Sequence, residues 1–392
     1  MKNVLLSTAL FSAFTAMASA QSAVTLYGVL DGGLRYQDWR VSAGPLAKSD
    51  VDTSSIAVVS GTQSTSRFGV KGIEDLGSGN QAVWVLEGQV NVQDGSSGSY
   101  STWQRQSTIG LRNSAWGQFD LGRQQNLAFK FAGAQIDGAF GVNVPIINIS
   151  GVMGVTAVRQ SNMLMYQSPS ISGLKLGAQY SFNTGLTSHR QLETGGVASD
   201  SASGSAFETG NNLRNYSAAL SYTNSGLYVT FVYDKFIPAD NTLAGNSGLD
   251  VNSWIAGAAY DAKIIKVGVA YNQVRGGLIN GASMSSVSSD ITNTMANGGV
   301  VFASGAGTNA WNINVTAPVG ANGTVMAGYQ GMSILGTVDD VGGATQSTFG
   351  LGYSYKFSAR TNVYAFYSYV NNYQNNPGLS GNTVSVGLRH VF

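Results

Sequence analysis

The chain has 392 residues with 21 basic against 20 acidic side chains, and that balance argues against a nucleic-acid partner, which needs a basic excess or a basic face. It has no cysteine, so an exported protein of this size must get its rigidity from something other than disulfides. Charged residues make up only 10% of the chain and 51 are glycine, yet no stretch after residue 20 is long and apolar enough for a membrane helix.

Residues 1–20 read as a secretory signal peptide. Lys2 and Asn3 open it, Val4 to Met17 form a short apolar core, and Ala18-Ser19-Ala20 offers a small-residue cleavage site before Gln21. No internal repeat or linker interrupts the remainder, so 21–392 reads as one domain leaving the cytoplasm.

Two-residue alternation then runs to the last residue. Val24, Leu26, Leu30 and Leu34 alternate with Thr25, Tyr27, Asp31 and Arg35; Leu174, Leu176, Ala178 and Tyr180 alternate with Lys175 and Gln179. Such runs recur near 23–40, 54–72, 81–93, 104–113, 117–123, 160–168, 173–184, 213–223, 227–237, 252–261, 264–275, 308–318, 322–333, 346–357, 361–371 and 381–392. Each has an apolar face and a polar or glycine face, the pattern of strands. Many reach ten residues, the length a tilted strand needs to cross a bilayer, about 9–11.

The connections alternate in length. Short ones such as Asn113-Ser114-Ala115 and Ser358-Ala359-Arg360 are interleaved with long polar ones near 41–53, 94–103, 124–159, 185–212, 238–251, 276–307, 333–345 and 372–380. Outer-membrane barrels have short periplasmic turns, long extracellular loops and an even number of strands. Lipid cannot satisfy free backbone groups, so a sheet in a membrane must close on itself. The expectation is an all-β fold, a sixteen-stranded antiparallel transmembrane β-barrel with periplasmic termini. Aromatic belts are expected from Trp254 and Tyr260 on one strand and from Tyr228 and Tyr233 on another.

Residues 124–159 break the alternation. They are too apolar and too poor in charge for a solvated loop, so the barrel is expected to enclose them and be narrowed by them.

The segments VTLYGVLDGGL (24–34), SRFGVKGIEDLGSG (66–79), QAVWVLEG (81–88), RQSTIGL (105–111), WGQFDLGRQ (116–124) and VSVGLRHVF (384–392) closely resemble Gram-negative porins of the neisserial and burkholderial type. The similarity covers most strands and little of the loops. It implies a homotrimer in outer-membrane lipid, with the third extracellular loop, here 124–159, folded inward as a constriction. It also implies that Phe392 is the C-terminal aromatic recognised by the barrel-assembly machinery, besides any role as an anchor at the periplasmic interface. The resemblance places Arg123 in a basic wall facing the inserted loop.

Permeation of small hydrophilic solutes and ions needs a wet lumen, a narrow point and a local field, with no cofactor and no bond-making step. By parity Asp31, Arg35, Arg67, Lys71, Glu87, Arg112 and Lys175 face the lumen. Arg123 shares the parity of the lipid-facing Phe119 and Leu121, which calls for a bulge or a strand end at that position. A ladder of Arg35, Arg67, Lys71 and Arg123 opposed by Asp137, the one acid of the loop, would create a transverse field with weak anion preference. Alternatively some of these arginines pair with Asp31, Glu87 or Asp120 and stiffen the wall.

A substrate-specific channel for small organic acids is the other reading, if Phe129, Phe131, Phe140, Ile146, Ile147 and Met153 form an apolar eyelet rather than tack the loop to the wall. Catalysis and metal binding find little support. The two histidines are His189, in a long loop, and His390, on the lipid-facing parity, and neither lies beside a triad pattern or a second metal ligand.

Overall fold

A computed structural model describes residues 23–42, 50–97, 102–133, 136, 159–191, 197–200, 212–239, 249–280, 299–336 and 343–392. The expected signal peptide and Asp137 lie outside the described residues. The strand segments are β1 (Ala23–Val41), β2 (Val51–Ser60), β3 (Arg67–Gly77), β4 (Asn80–Gln89), β5 (Gln106–Asn113), β6 (Gly117–Gln125), β7 (Arg159–Gln167), β8 (Leu174–Ser181), β9 (Thr187–Gln191) and β10 (Val197–Asp200). They continue with β11 (Arg214–Asn224), β12 (Leu227–Ile237), β13 (Val251–Asp261), β14 (Lys266–Asn280), β15 (Gly299–Val319), β16 (Gly323–Leu335), β17 (Gln346–Lys356), β18 (Thr361–Asn371) and β19 (Leu379–Val391).

Successive wall strands pair antiparallel, and β1 pairs with β19 from Val29↔Val391 to Val41↔Leu379, closing the barrel. The wall has sixteen strands. β2 and β3 pair with the two halves of β1 and together form one wall strand, broken at residues 61–66. β9 and β10 form a hairpin inserted between the neighbours β8 and β11, and β9 also runs parallel to the start of β15.

Three sequence expectations change. The single run at 54–72 is interrupted. The loop expected at 185–212 contains β9 and β10, so His189 sits on a short strand opposite Ser199. The loop expected at 276–307 is shortened from both sides, because β14 and β15 continue as a ladder past the bilayer length.

Alternation decides which way each side chain points. In β11, Asn215, Ser217, Ala219 and Ser221 are buried on the inner side while Tyr216, Ala218, Leu220 and Tyr222 face outward. Trp254 and Tyr260 share the outward parity, as expected. Tyr228 corrects the other expected pair. It stands an odd number of residues from the outward-facing Tyr233, so it points inward with Thr230 and Val232.

The seam is finished by the last residue. Gly28 N donates to Phe392 O and Phe392 N to Gly28 O, both at 3.1 Å, and a Cβ on Gly28 would lie 2.3 Å from Phe392 Cζ. Gly28→Leu is therefore expected to lower the yield of heat-modifiable barrel on gels, whereas Gly343→Ala, with open space around it, should fold as the parent does.

Candidate permeation pathway

The chain leaves β6 at Gln125 and turns inward. Asn126 starts the turn, its side-chain oxygen accepting from Phe129 N at 2.9 Å and its carbonyl from Lys130 N at 3.1 Å. A short π-helical turn, Phe129–Gly133, follows. Leu127, Ala128, Phe131, Ala132 and Ile136 are buried against the inner face of the wall, among Met163, Met165, Ala219, Val232, Ile255 and Ala270. Three wall glycines make the seat: a Cβ would lie 2.8 Å from Leu127 Cδ2 at Gly177, 2.1 Å from Ile136 Cδ1 at Gly257 and 2.4 Å from Ile136 O at Gly268.

Polar bonds hold the backbone of this segment. Leu127 N donates to Gln179 Oε1 at 3.0 Å, and Gln179 Nε2 donates onward to Gln160 and Asn215. Tyr228, inward by parity though expected in an aromatic belt, donates its hydroxyl to Phe131 O, and Asn314 Nδ2 donates to Ile136 O at 2.6 Å. Described residues 126–133 and 136 thus lie on the lumen side of a wall reaching from β7 to β15. Phe131 tacks this segment to the wall, with Phe129 packed beside it; Phe140, Ile146, Ile147 and Met153 fall outside the described residues.

The basic residues do not form one ladder. The densest group surrounds Glu87. Arg105 Nε donates to Glu87 Oε1 at 2.8 Å, Arg67 Nε lies 3.5 Å from Oε2, and Tyr27 donates its hydroxyl to Oε2 at 3.1 Å. Arg159 Nε donates to Arg105 O at 3.1 Å, and Arg123 reaches Gln104 O at 2.6 Å and Ser161 Oγ at 2.8 Å. Two guanidinium groups therefore pair with the Glu87 carboxylate, and those of Arg159 and Arg123 bond the chain at Arg105 O and Gln104 O beside them. The bulge that parity demanded near Arg123 is present, with a register shift between Gly122 and Gln124 and a Gly122 φ of 116°. Arg105 and Arg159 were not selected from sequence as site residues. Arg105 directly precedes its strand and Arg159 opens its own, where alternation gives no clear face.

Asp31 and Arg35 face inward as expected but do not line open water. Residues 61–66 leave the wall strand and dock on them. Asp31 is fully buried, accepting from Gln63 N at 2.9 Å, Ser64 N at 2.6 Å and the Tyr364 hydroxyl. Arg35 Nη2 donates to Thr62 at 3.1 Å, Arg389 Nε to Ser64 at 2.8 Å and Asn362 Nδ2 to Gln63 at 2.8 Å. This corrects the pore-lining assignment of Asp31. Its carboxylate holds backbone donors of the excursion, as a buried charge must.

Lys71 lies over the Tyr27 ring, 5.3 Å from its centroid. Arg112 and Lys175 sit at the periplasmic end. Arg112 is opposite Gln81 and Glu87 opposite Gln106, so the two groups are six residues, about 20 Å, apart along the ladder. Lys130 donates to Gln124 Oε1 at 2.7 Å. Burial pushes its ammonium down to about 8, against the pull of Asp120 and helped by Lys175. A rise in pH through that value removes a positive charge from the lumen. Anion preference is therefore expected to fall between about pH 7 and 9, where unperturbed lysines keep their charge. Reversal potentials of Lys130→Gln should stay flat over the same range.

The sequence model of the Gram-negative porin family matches residues 7–375. The chain belongs to this family. An outer membrane porin of Bordetella pertussis is 34% identical over 405 residues, covering 100% of both chains. Outer membrane porin protein 32 of Delftia acidovorans is 26% identical over 412 residues, again covering 100% of both. Among solved structures, the anion-selective porin from Comamonas acidovorans superposes with a TM-score of 0.66 at 21% identity, covering 95% of this chain and 100% of that one. As a Gram-negative porin, the protein is a water-filled outer-membrane channel through which small hydrophilic solutes and ions pass. Family and fold are those of a channel rather than an enzyme. Among the described residues no group of acids and histidines could hold a metal ion, and His390 faces outward, bonded to Thr361 at 2.8 Å.

Proposed function

We propose that this porin is a general diffusion channel with a weak preference for anions, constricted by the segment that follows β6. The observation that carries the reading is the group of Arg67, Arg105, Arg123 and Arg159, of which Arg67 and Arg105 share the carboxylate of Glu87 while Arg123 and Arg159 bond backbone carbonyls beside them. Excess positive charge in a wall with a low-dielectric backing raises local anion concentration, more so at low salt. The solved relative described as anion-selective agrees with it. Leu127, Phe131 and Ile136 are buried against the wall, so these apolar side chains tack the segment down rather than line an eyelet, which favours general diffusion over a specific channel.

A homotrimer is part of the proposal. The outward faces of β19, β1 and β5 are mainly aliphatic, with Val384, Val386, Leu388, Leu26, Leu30, Leu34, Ile109 and Leu111 beside the one aromatic Tyr36, whereas those of β11–β18 carry most of the exposed aromatics. An aromatic-poor sector suits contact with another subunit better than contact with lipid headgroups. The barrel-assembly machinery would read Phe392, and an N-terminal leader over 1–20 would direct export.

Reversal potentials across a potassium chloride gradient in planar bilayers test the preference. The expected sign is that of an anion-preferring channel, reduced in Arg123→Gln/Arg159→Gln. Cation preference in the parent protein would overturn the reading.

A further inference from the structure

A second charged site lies below the inserted segment, at the periplasmic mouth. Gln81, Arg112, Gln118 and Gln167 stand directly opposite one another across β4 to β7, and Lys175 opens onto the same row from β8. They line a cavity of about 460 Å³. Arg112 is held by Gln81, whose Oε1 accepts from Nε at 3.1 Å and from Nη2 at 2.8 Å. Lys175 Nζ donates to Gln167 Oε1 at 3.0 Å and lies 5.4 Å from the centroid of the Phe131 ring. Amides and an aromatic face position both cations, and among the described residues neither forms an ion pair with a carboxylate. The closest acid along β6 is Asp120, and Gln118 Nε2 covers both of its oxygens at 2.8 and 2.9 Å.

Positioned cations without carboxylate partners leave their charge available to a passing solute. A guanidinium presents a fork to a planar carboxylate, and an ammonium adds a point charge beside it. The geometry points to a staging site for small dicarboxylates at the periplasmic mouth, with one carboxylate on Arg112 and the other on Lys175. The inference rests on the reading of the chain as an anion-preferring channel and adds a preferred class of solute. The three glutamines share the rest of the lining with Asn113, Ser114 and Ser168 among others, and side chains that can both donate and accept suit a solute that must also leave.

Single-trimer recordings with succinate added to one side and then the other test the site, with acetate as the monovalent comparison. Succinate at the periplasmic side is expected to reduce chloride current at concentrations where acetate has no effect. Arg112→Gln/Lys175→Gln should raise the half-blocking concentration about tenfold, the scale of a lost charge-assisted pair. Arg112→Lys, which keeps the charge and loses the fork, should fall between, and heat-modifiability on gels confirms folding of each variant. Equal block from both sides, or block unchanged in the double variant, overturns the site. The reversal potential of the parent in potassium chloride decides the underlying reading separately: if it shows no anion preference, that reading fails while sided block by succinate can still stand.

Discussion

Glu87→Gln is expected to destabilise the barrel by about 3 kcal/mol, the low end of the cost of removing one partner from a buried ion pair, and to strengthen anion preference. Glu87 is the carboxylate that Arg105, Arg67 and the Tyr27 hydroxyl share. The Arg105 side chain is only 9% exposed, so losing its partner leaves a charge that water reaches poorly. The low end applies because the Arg67 side chain is 26% exposed and the lumen screens part of the repulsion. Arg159 and Arg123 add like charge nearby, which makes the remaining guanidiniums worse neighbours once Glu87 is neutral. Urea unfolding of the detergent-solubilised protein measures the loss, and reversal potentials measure the gain in selectivity. Arg105→Gln/Glu87→Gln should be less destabilised than the two single costs predict, because the pair is removed together. Unchanged stability and selectivity in Glu87→Gln would show that the group is not coupled.

Most of the wall was legible because lipid enforces period two on every strand that touches it. The outward Leu26, Leu30 and Leu34, or Val384, Val386 and Leu388, leave no other consistent strand face. The break at 61–66 was legible in principle and overlooked. Gly61, Thr62, Gln63, Ser64, Thr65 and Ser66 supply no apolar side chain for three successive outward positions, so the segment could not have faced lipid. Tyr228 was misplaced by pairing it with Tyr233 at an odd spacing. The irregularity at Arg123 is legible in the sequence, because a charge on the lipid-facing parity costs enough to demand a bulge or a strand end, and the structure has the bulge. Arg105 and Arg159 were hidden for a different reason. They sit where strands begin, and their meeting beside Glu87 depends on the barrel bringing β4, β5, β6 and β7 together in that order. The burial of Asp31 depended likewise on docking of the excursion, which sequence spacing does not encode.

Gly257→Val is expected to raise single-channel conductance by moving the inserted segment off the wall. The wall cannot yield, because Gly257 lies between Thr230 and Ala270 in antiparallel ladders whose shift would break hydrogen bonds on both sides. A Cβ there would stand 2.1 Å from Ile136 Cδ1, so the buried Ile136 side chain must shift. Full burial of such a side chain is worth about 1.5–3 kcal/mol, and Leu127 and Phe131 hold the start of the segment by similar amounts. Valine at 257 should thus free the Ile136 end first while the turn at Phe129–Gly133 stays docked. Adding Asn314→Ala removes the 2.6 Å hydrogen bond to Ile136 O and should increase the effect. Ile136→Ala makes room for the valine, so Gly257→Val/Ile136→Ala should return conductance toward that of the parent. Gly257 faces inward, so the lipid-facing surface is untouched, and heat-modifiable barrel should persist in each variant. If folded Gly257→Val conducts as the parent does, residues 126–133 and 136 do not set the width of the pore, and the constriction must come from another part of the lumen, of which the excursion at 61–66 is the next to test.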